Sequence, residues 1–463
     1  MVGGQIHAEA QVDAIKKIEN VCHELMLSED DYRQIMNLLH NEMNKGLSKE
    51  MHDTADVKMF QTFIRSLPDG TEDGSFLALD LSGQSFRVLY LTLHPGGETK
   101  VEHKTFLIPQ SIMTGKGEQL FDHVATCIEK FVKDRGIPEG ELPLGFMFPF
   151  RVRKTGLASA TLLAWGKGFQ CSGVVGEDVV SLLQQSLNKL QGIRVKVVAI
   201  MNDTVATQMS CAHADKNCLI GLILSKGINA CYLEKLENVQ CWEGDHNEPK
   251  TVIVNTEWGA FGSNGVIDQF RTGFDKELDL NSSNPGHQIF EKMISGEHLG
   301  EIVRLIMMRL VNEKLLFNGA VSEELLTANK FHTKYLSEIE GDTKMKEDYR
   351  ITRMVLHEVG LDDVTSEDCA HVQYVCSVVS TRAAYLISAA LAVLLNRIGQ
   401  AEVTIAVDGP LYRFHPKFHD RMMDKINQLV NTDILFTIKQ GDRHGKGSAL
   451  VAAVAHRILS QGH

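Results

Sequence analysis

Five short polar stretches, each at the end of an apolar run, hold the residues that could do chemistry. They are Asp80 with the turn Ser82, Gly83, Gln84 and Ser85; Asn202, Asp203 and Thr204; Ser225, Lys226, Gly227, Ile228 and Asn229; Asp408 with Gly409; and GDRHGKG over 441–447. Four of the five contain glycine. Glycine lets backbone N–H groups approach an anion closely, and turns and helix starts form anion-binding concavities. Lone acids beside such turns suit phosphoryl transfer. Backbone donors take the phosphates, one carboxylate holds magnesium through water, and another accepts the proton of a hydroxyl. Taken singly, each stretch also reads as a hairpin turn or a helix cap. Two familiar nucleotide signatures are absent. GDRHGKGS is one residue short of a P-loop and has glycine after Lys446, and GAFGSNG at 259–265 spaces its glycines by three throughout.

The elements that must position these residues follow from the apolar patterning. Val12, Ile15, Ile18, Cys22 and Leu25 recur at helical spacing. Ser28 with Asp31 caps a second helix carrying Ile35, Leu38, Leu39 and Met43, with Gly46 as its stop. PDGTEDG at 68–74 marks a change to strand-like sequence, so a boundary falls near residue 70. Strands FLALDL, RVLYLTL, LPLGFMF and VKVVAIM then alternate with helical runs such as GEQLFDHVATCIEKFVKD, which predicts an α/β sheet with parallel members. CLIGLILSKGINACYLEKL, residues 218–236, repeats the opening strand-turn-strand unit. Two such units imply two related lobes with a cleft between them. The stretch 282–400 reads as mainly helical, EVTIAVDG is a buried strand, and a strand, Gly-rich turn and small-residue helix close the chain.

Composition narrows the partners. The 463 residues are 43% hydrophobic and 23% charged, with a formal net charge of -12 and no long basic run, which argues against nucleic acid or anionic lipid and for a small molecule. Nine scattered cysteines without a C-x-x-C pair suggest neither a disulfide framework nor a zinc site, and read as reduced thiols. The N-terminal stretch lacks the apolar core of a signal peptide, so a cytoplasmic location is the expectation. The most apolar segment, Ala383 to Leu395, is too short to span a bilayer and reads as a buried helix.

The ordered set FLALDL, GEQLFDH, LPLGF, KGF, VVAIMNDTVAT, INACYLE, NTEWGAFG, NPGHQIFEKMISG, VVSTRAA and VDGPLY resembles the hexokinase family, in particular its single-unit, glucokinase-like members, over about residues 10–458. The resemblance implies two actin-like (ribonuclease H-like) α/β lobes around a closing cleft, with extra helices on the larger lobe. Residues 1–70 would supply N-terminal helices to the large lobe, 74–201 the small lobe with a C-terminal helix at 446–460 packed on it, and 202–445 the large lobe. It further implies transfer of phosphate from Mg-ATP to the 6-hydroxyl of a hexose such as glucose, by a monomer. Asp203 matches the family's base, with Lys167 beside it, and Gly166, Asn202, Asn229, Glu257 and Glu291 match sugar-binding positions. Asp80 matches the acid near magnesium. Ser82, Gly83, Gln84, Ser85 and Arg87, then Ser225, Lys226 and Gly227, match the two phosphate turns, and Thr333, Ser337, Gly409 and Gly445 match nucleotide contacts.

The chain departs from the family pattern where phosphate and sugar bind. D-L-G-G-T-N appears with Ser82 and Gln84, G-T-G with Ser225 and Lys226, F-S-F-P as Phe148, Pro149, Phe150 and Arg151, and W-T-K-G-F with Gly166; Pro410, Arg443 and His444 replace smaller residues near the adenosine, where the bulky pair Arg443 and His444 is expected to crowd. A positive φ at Ser82 or Ser225 would carry a penalty of about 1 kcal/mol, and a donor lost from the transferring phosphoryl group about 3 kcal/mol. Lys226 offers a replacement cation. Two readings follow: a divergent hexose kinase, or a hexose-binding relative with weak or no catalysis.

Overall fold

The structure is a computed structural model that describes residues 2–96, 99–138, 140–342, 348–441 and 445–461. Its first strands are β1 (Phe60–Gln61), β2 (Gly74–Ser82), β3 (Ser85–Leu93) and β4 (Lys100–Leu107). β5 (Glu141–Met147), β6 (Arg151–Gly156), β7 (Ser159–Ala164) and β8 (Arg194–Met201) follow. β9 (Cys218–Leu224), β10 (Ile228–Lys235), β11 (Thr251–Asn255), β12 (Glu402–Asp408) and β13 (Leu435–Gln440) complete the set.

One sheet runs β4-β3-β2-β5-β8 and the other β1-β11-β10-β9-β12-β13. In both, three consecutive strands pair antiparallel and two later strands add in parallel to the first of them. The shared 3-2-1-4-5 order is the repeat that the two strand-turn-strand units announced. β6 and β7 form a separate ribbon. β4 went unread in the sequence because it is an edge strand whose residues, such as Glu102 and His103, lie largely exposed.

The core is divided the same way. The first two helices, Val2–His23 and Glu29–Leu47, pack with the six-stranded sheet and the helices of the 273–429 region. A second cluster joins the five-stranded sheet to the Gly117–Asp134 and Val179–Asn188 helices. A third lies between the sheets, where the helices Asp203–Ala212 and Gly447–Gln461 meet Phe76, Leu89, Cys231 and Ile253. Glycine permits that closeness: a Cβ on Gly145 would collide with the Ser448 carbonyl, and one on Gly447 with the Ala206 carbonyl.

Two local expectations change. Ser28 and Asp31 form the capping box, but Gly46 lies inside the helix and is there because Val57 packs against it, not as a left-handed stop. The apolar segment from Ala383 belongs to a 33-residue helix, Ser366–Ile398, that by length and composition could cross a membrane. Its apolar window is 89% buried inside the protein, so it is the central core helix.

Candidate functional site

β8 delivers Asn202 and Asp203 to the mouth between the sheets. Asn202 caps the Asp203–Ala212 helix, its Oδ1 accepting from the Val205 N–H at 3.3 Å and the Thr204 hydroxyl at 2.9 Å. Asp203 is the first helical residue, and its Oδ1 accepts from the Thr204 N–H at 3.0 Å. Burial raises its pKa, opposed by the Lys167 charge and backbone N–H groups and assisted by the Asp408 charge. A carboxylate in this state is poised as a proton acceptor nearer neutrality than a solvated one. Lys167 sits at φ 54 between Gly166 and Gly168, in a turn closed by the Phe169 N–H on the Gly166 carbonyl at 3.0 Å. The Trp165 and Phe169 rings stack at 5.5 Å and hold this turn, from which the exposed Lys167 cation acts on Asp203 through its charge. Gly166 is exposed and offers only backbone.

Close to Asp203, two more acids are held by amides. Glu257 takes a left-handed conformation at φ 53, and its Oε1 accepts from Asn229 and Asn255, each at 2.8 Å. Asn229 is itself pinned, its Oδ1 accepting from the Ala230 N–H at 2.8 Å and the Glu257 N–H at 3.1 Å. Glu291 accepts the Ile228 N–H at 3.0 Å through Oε2. Gly227 and Gly259 leave the room: a Cβ on Gly227 would stand 3.1 Å from that oxygen, and one on Gly259 2.5 Å from the Gln288 side chain. Burial raises both glutamates, and Glu257 pushes Glu291 further. Among the described residues no protein donor reaches Glu257 Oε2 or Glu291 Oε1. Half-satisfied, desolvated carboxylates want donors, and a polyol supplies them. Asn255 escaped the sequence reading although it opens the NTEWG run. Arg151 stands exposed close to Glu257, whose pKa it lowers.

The anion turns lie on the two sheets. β2 and β3 join through Gly83 and Gln84, with the positive φ of 57 on Gly83. Neither Ser82 nor Ser225 has positive φ, so the strain that a side chain there would bring is absent. Ser85 reaches only the Ser82 carbonyl, at 3.5 Å. Asp80 is 6% exposed; Arg87, its cross-strand partner, donates to Oδ2 at 3.0 Å and Ser448 to Oδ1 at 2.6 Å. Burial raises Asp80, with Ser448 and Arg87 opposing. Gly445, at φ 65, packs against this pair so closely that a Cβ would strike the Arg87 guanidinium.

In the second turn the Ser225 and Lys226 carbonyls accept from Gly296 at 2.9 Å and Glu297 at 3.1 Å. Lys226 is 87% exposed and lies 3.7 Å from Glu297, a weak surface pair that leaves its ammonium able to swing. A groove of about 530 Å³ runs from Ser225 and Lys226 past Thr333 and Ser337 to Pro410, Leu411 and Phe414. The Thr333 hydroxyl already accepts the Gly300 N–H at 2.9 Å, so it braces the groove wall. Gly409, at φ 125, lets β12 end against Leu224 with no room for a Cβ. Pro410 occupies the first position of a helical turn, where proline fits without strain. Arg443 and His444 lie outside the described residues.

The donor set can be tested against a nucleotide-borne magnesium ion. No group of three or more His, Cys, Asp or Glu among the described residues is arranged to hold a metal. Magnesium needs only one or two carboxylates when phosphates and water complete its shell. Asp80, with lone pairs left beyond its two hydrogen bonds, fits that part through water.

Paired sheets of one topology, with acids at the strand ends that face each other, define a two-lobed, actin-like α/β protein. Family profiles described as hexokinase match residues 17–213 and 219–454. The chain belongs to the hexokinase family. It is 45% identical over 462 residues to hexokinase-2 of Equus caballus and 41% over 474 to hexokinase-1 of Homo sapiens, covering 98% and 100% of this chain. The chain spans about half the length of these relatives, 50% and 51%. A hexokinase from Schistosoma mansoni complexed with glucose superimposes with a TM-score of 0.85 at 40% identity, over 96% of this chain and 99% of that one.

Proposed function

We propose that this chain transfers the terminal phosphate of Mg-ATP to the 6-hydroxyl of a hexose, glucose being the first candidate. The observation that carries the reading is the group of desolvated acids: beside Asp203, Glu257 and Glu291 each present an oxygen that no donor among the described residues reaches. Sugar hydroxyls donate to those oxygens while Asn202 and Asn229 contribute amides. Asp203 accepts the proton of the attacking hydroxyl, and Lys167 steadies the charge beside it. The family membership and the glucose-bound relative support the same substrate class. Mg-ATP supplies the phosphoryl group and neutralises its charge. Arg87, Gly83, Gln84 and Ser225 flank the phosphates, Asp80 holds the ion through water, and the groove at Thr333 and Ser337 takes the nucleoside. On this reading 74–201 with the C-terminal helix is the small lobe, and 202–445 with the first 70 residues the large one. The normal φ of Ser82 and Ser225 removes one reason to expect a non-catalytic relative.

A coupled assay of hexose 6-phosphate formation at saturating Mg-ATP, with Asp203→Ala beside the parent, tests this. Turnover by the parent should fall by roughly 10²–10⁴-fold in the variant while folding persists. The raised Asp203 pKa sets the sign with pH: the base is lost by protonation, so kcat/KM declines as pH falls, starting above the ordinary carboxylate range. No turnover by the parent, with the sugar still raising its melting temperature, would leave a hexose-binding protein instead.

A further inference from the structure

Lys154 is not explained by the site described so far. It lies on β6, and its Nζ donates to the Thr62 carbonyl at 2.5 Å and the Ile200 carbonyl at 2.6 Å. These acceptors belong to different sheets. Thr62 follows β1, and its own N–H and hydroxyl bind the Ile253 carbonyl of β11 at 3.1 and 2.7 Å. Ile200 is the penultimate residue of β8, two positions before Asn202 and three before Asp203. One amine therefore grips the backbone of the connector from the six-stranded sheet and the strand end of the five-stranded sheet that carries the proposed base.

No acid among the described residues pairs with Lys154. Enclosing an amine without a counter-ion is unfavourable, so an apolar side chain would fill the same space at lower free energy. What the amine adds is its fixed donors. The cavity of about 60 Å³ beside it is also lined by Asn202, Asn255 and Glu257, so the clasp borders the sugar site directly. The charged groups facing it there are Arg151 and Glu257. Burial pushes the Lys154 pKa down to about 7. Both protonation states keep two N–H donors, so the clasp survives deprotonation and loses only its charge assistance.

We propose that Lys154 is a positioning residue that locks the end of β8, and with it Asn202 and Asp203, to the connector between the two sheets. The consequence for turnover rests on the hexose kinase reading; the clasp itself does not. The test compares the full-length parent with Lys154→Met, which keeps bulk and removes donors, and Lys154→Gln, which keeps two neutral donors. Hydrogen exchange mapped on peptides covering 60–66 and 200–206 should quicken by about tenfold in Lys154→Met, with other core segments little changed, and return toward the parent in Lys154→Gln. kcat should fall by about ten- to a hundredfold in Lys154→Met and recover in Lys154→Gln, with nucleotide KM unchanged. Unchanged exchange in both segments, or faster exchange spread evenly over the molecule, overturns the clasp. If Lys154→Met does not fold, acetylation of the parent decides: a clasped amine labels far more slowly than exposed lysines such as Lys226, and equal labelling overturns the proposal. A parent that neither turns over a hexose nor is stabilised by one sinks the kinase reading alone, and the exchange result still judges Lys154.

Discussion

At the scale of single residues, this protein keeps acids where their ionised form is uncomfortable. Asp80, Asp203, Glu257 and Glu291 are all raised by burial. Asp80 is matched internally by Arg87 and Ser448, whereas Glu257 and Glu291 have amide and backbone donors on one oxygen only. That difference separates an acid with both oxygens held by the fold, whose remaining lone pairs serve only a water, from acids that leave one oxygen open to a ligand. Replacing Glu257 by Gln removes a buried charge but also the acceptor a hydroxyl needs. The variant should therefore melt no lower than the parent, while hexose KM rises about ten- to a hundredfold, the loss of one charge-assisted hydrogen bond. A thermal melt and a saturation curve check the two halves, and an unchanged KM would remove Glu257 from the sugar site. Serine at positions 82 and 225 shows the converse: a departure from the family pattern that looked strained in sequence is accommodated, because neither serine takes a positive φ, which in the first turn falls on Gly83.

At the scale of elements, the groove beside Thr333 and Ser337 is braced by a buried ionic network. Glu340, near the end of the Thr333–Gly341 helix, is enclosed with His415 and Arg421, which donate at 3.1 and 2.7 Å, and Ser380 also donates to it. These partners outweigh burial and hold its pKa down to about 2. A carboxylate depressed in the folded state contributes stability above its unfolded pKa and loses it as pH falls toward the folded one. Glu340→Gln should thus cost about 3 kcal/mol near neutrality, with the gap to the parent closing as pH falls between the ordinary glutamate value of 4.5 and about 2. Denaturant unfolding across that range measures it, and a gap independent of pH would show that the loss comes from packing. Because the same helix carries Thr333 and Ser337, the variant should also weaken nucleotide binding more than sugar binding.

At the scale of the whole molecule, the acids and their complement stand on two sheets, so a ligand that satisfies them draws the sheets together. Hexose should lower the radius of gyration in small-angle scattering and raise the melting temperature with sugar concentration by mass action. A stabilising sugar that leaves the scattering curve unchanged would mean the lobes are already closed around the site. Much of this plan was legible in the chain. Alternating apolar runs, the Ser28 capping box and the repeated strand-turn-strand unit are local signals, and local periodicity dictates which face of an element is buried. Asp203 stood out at a strand end by its own chemistry, whereas the sugar roles of Asn229, Glu257 and Glu291 came through the resemblance to hexokinases, acids and amides being suited to a hydroxyl substrate. Tertiary structure alone decided the rest. It turned Asp80 onto Arg87 and Ser448, which are 7 and 368 residues away. It brought Asn229 to Glu257, 28 residues away, and set Lys154 between carbonyls 92 and 46 residues distant. Those roles depend on where distant backbones cross, and no pattern along a single strand or helix encodes that meeting.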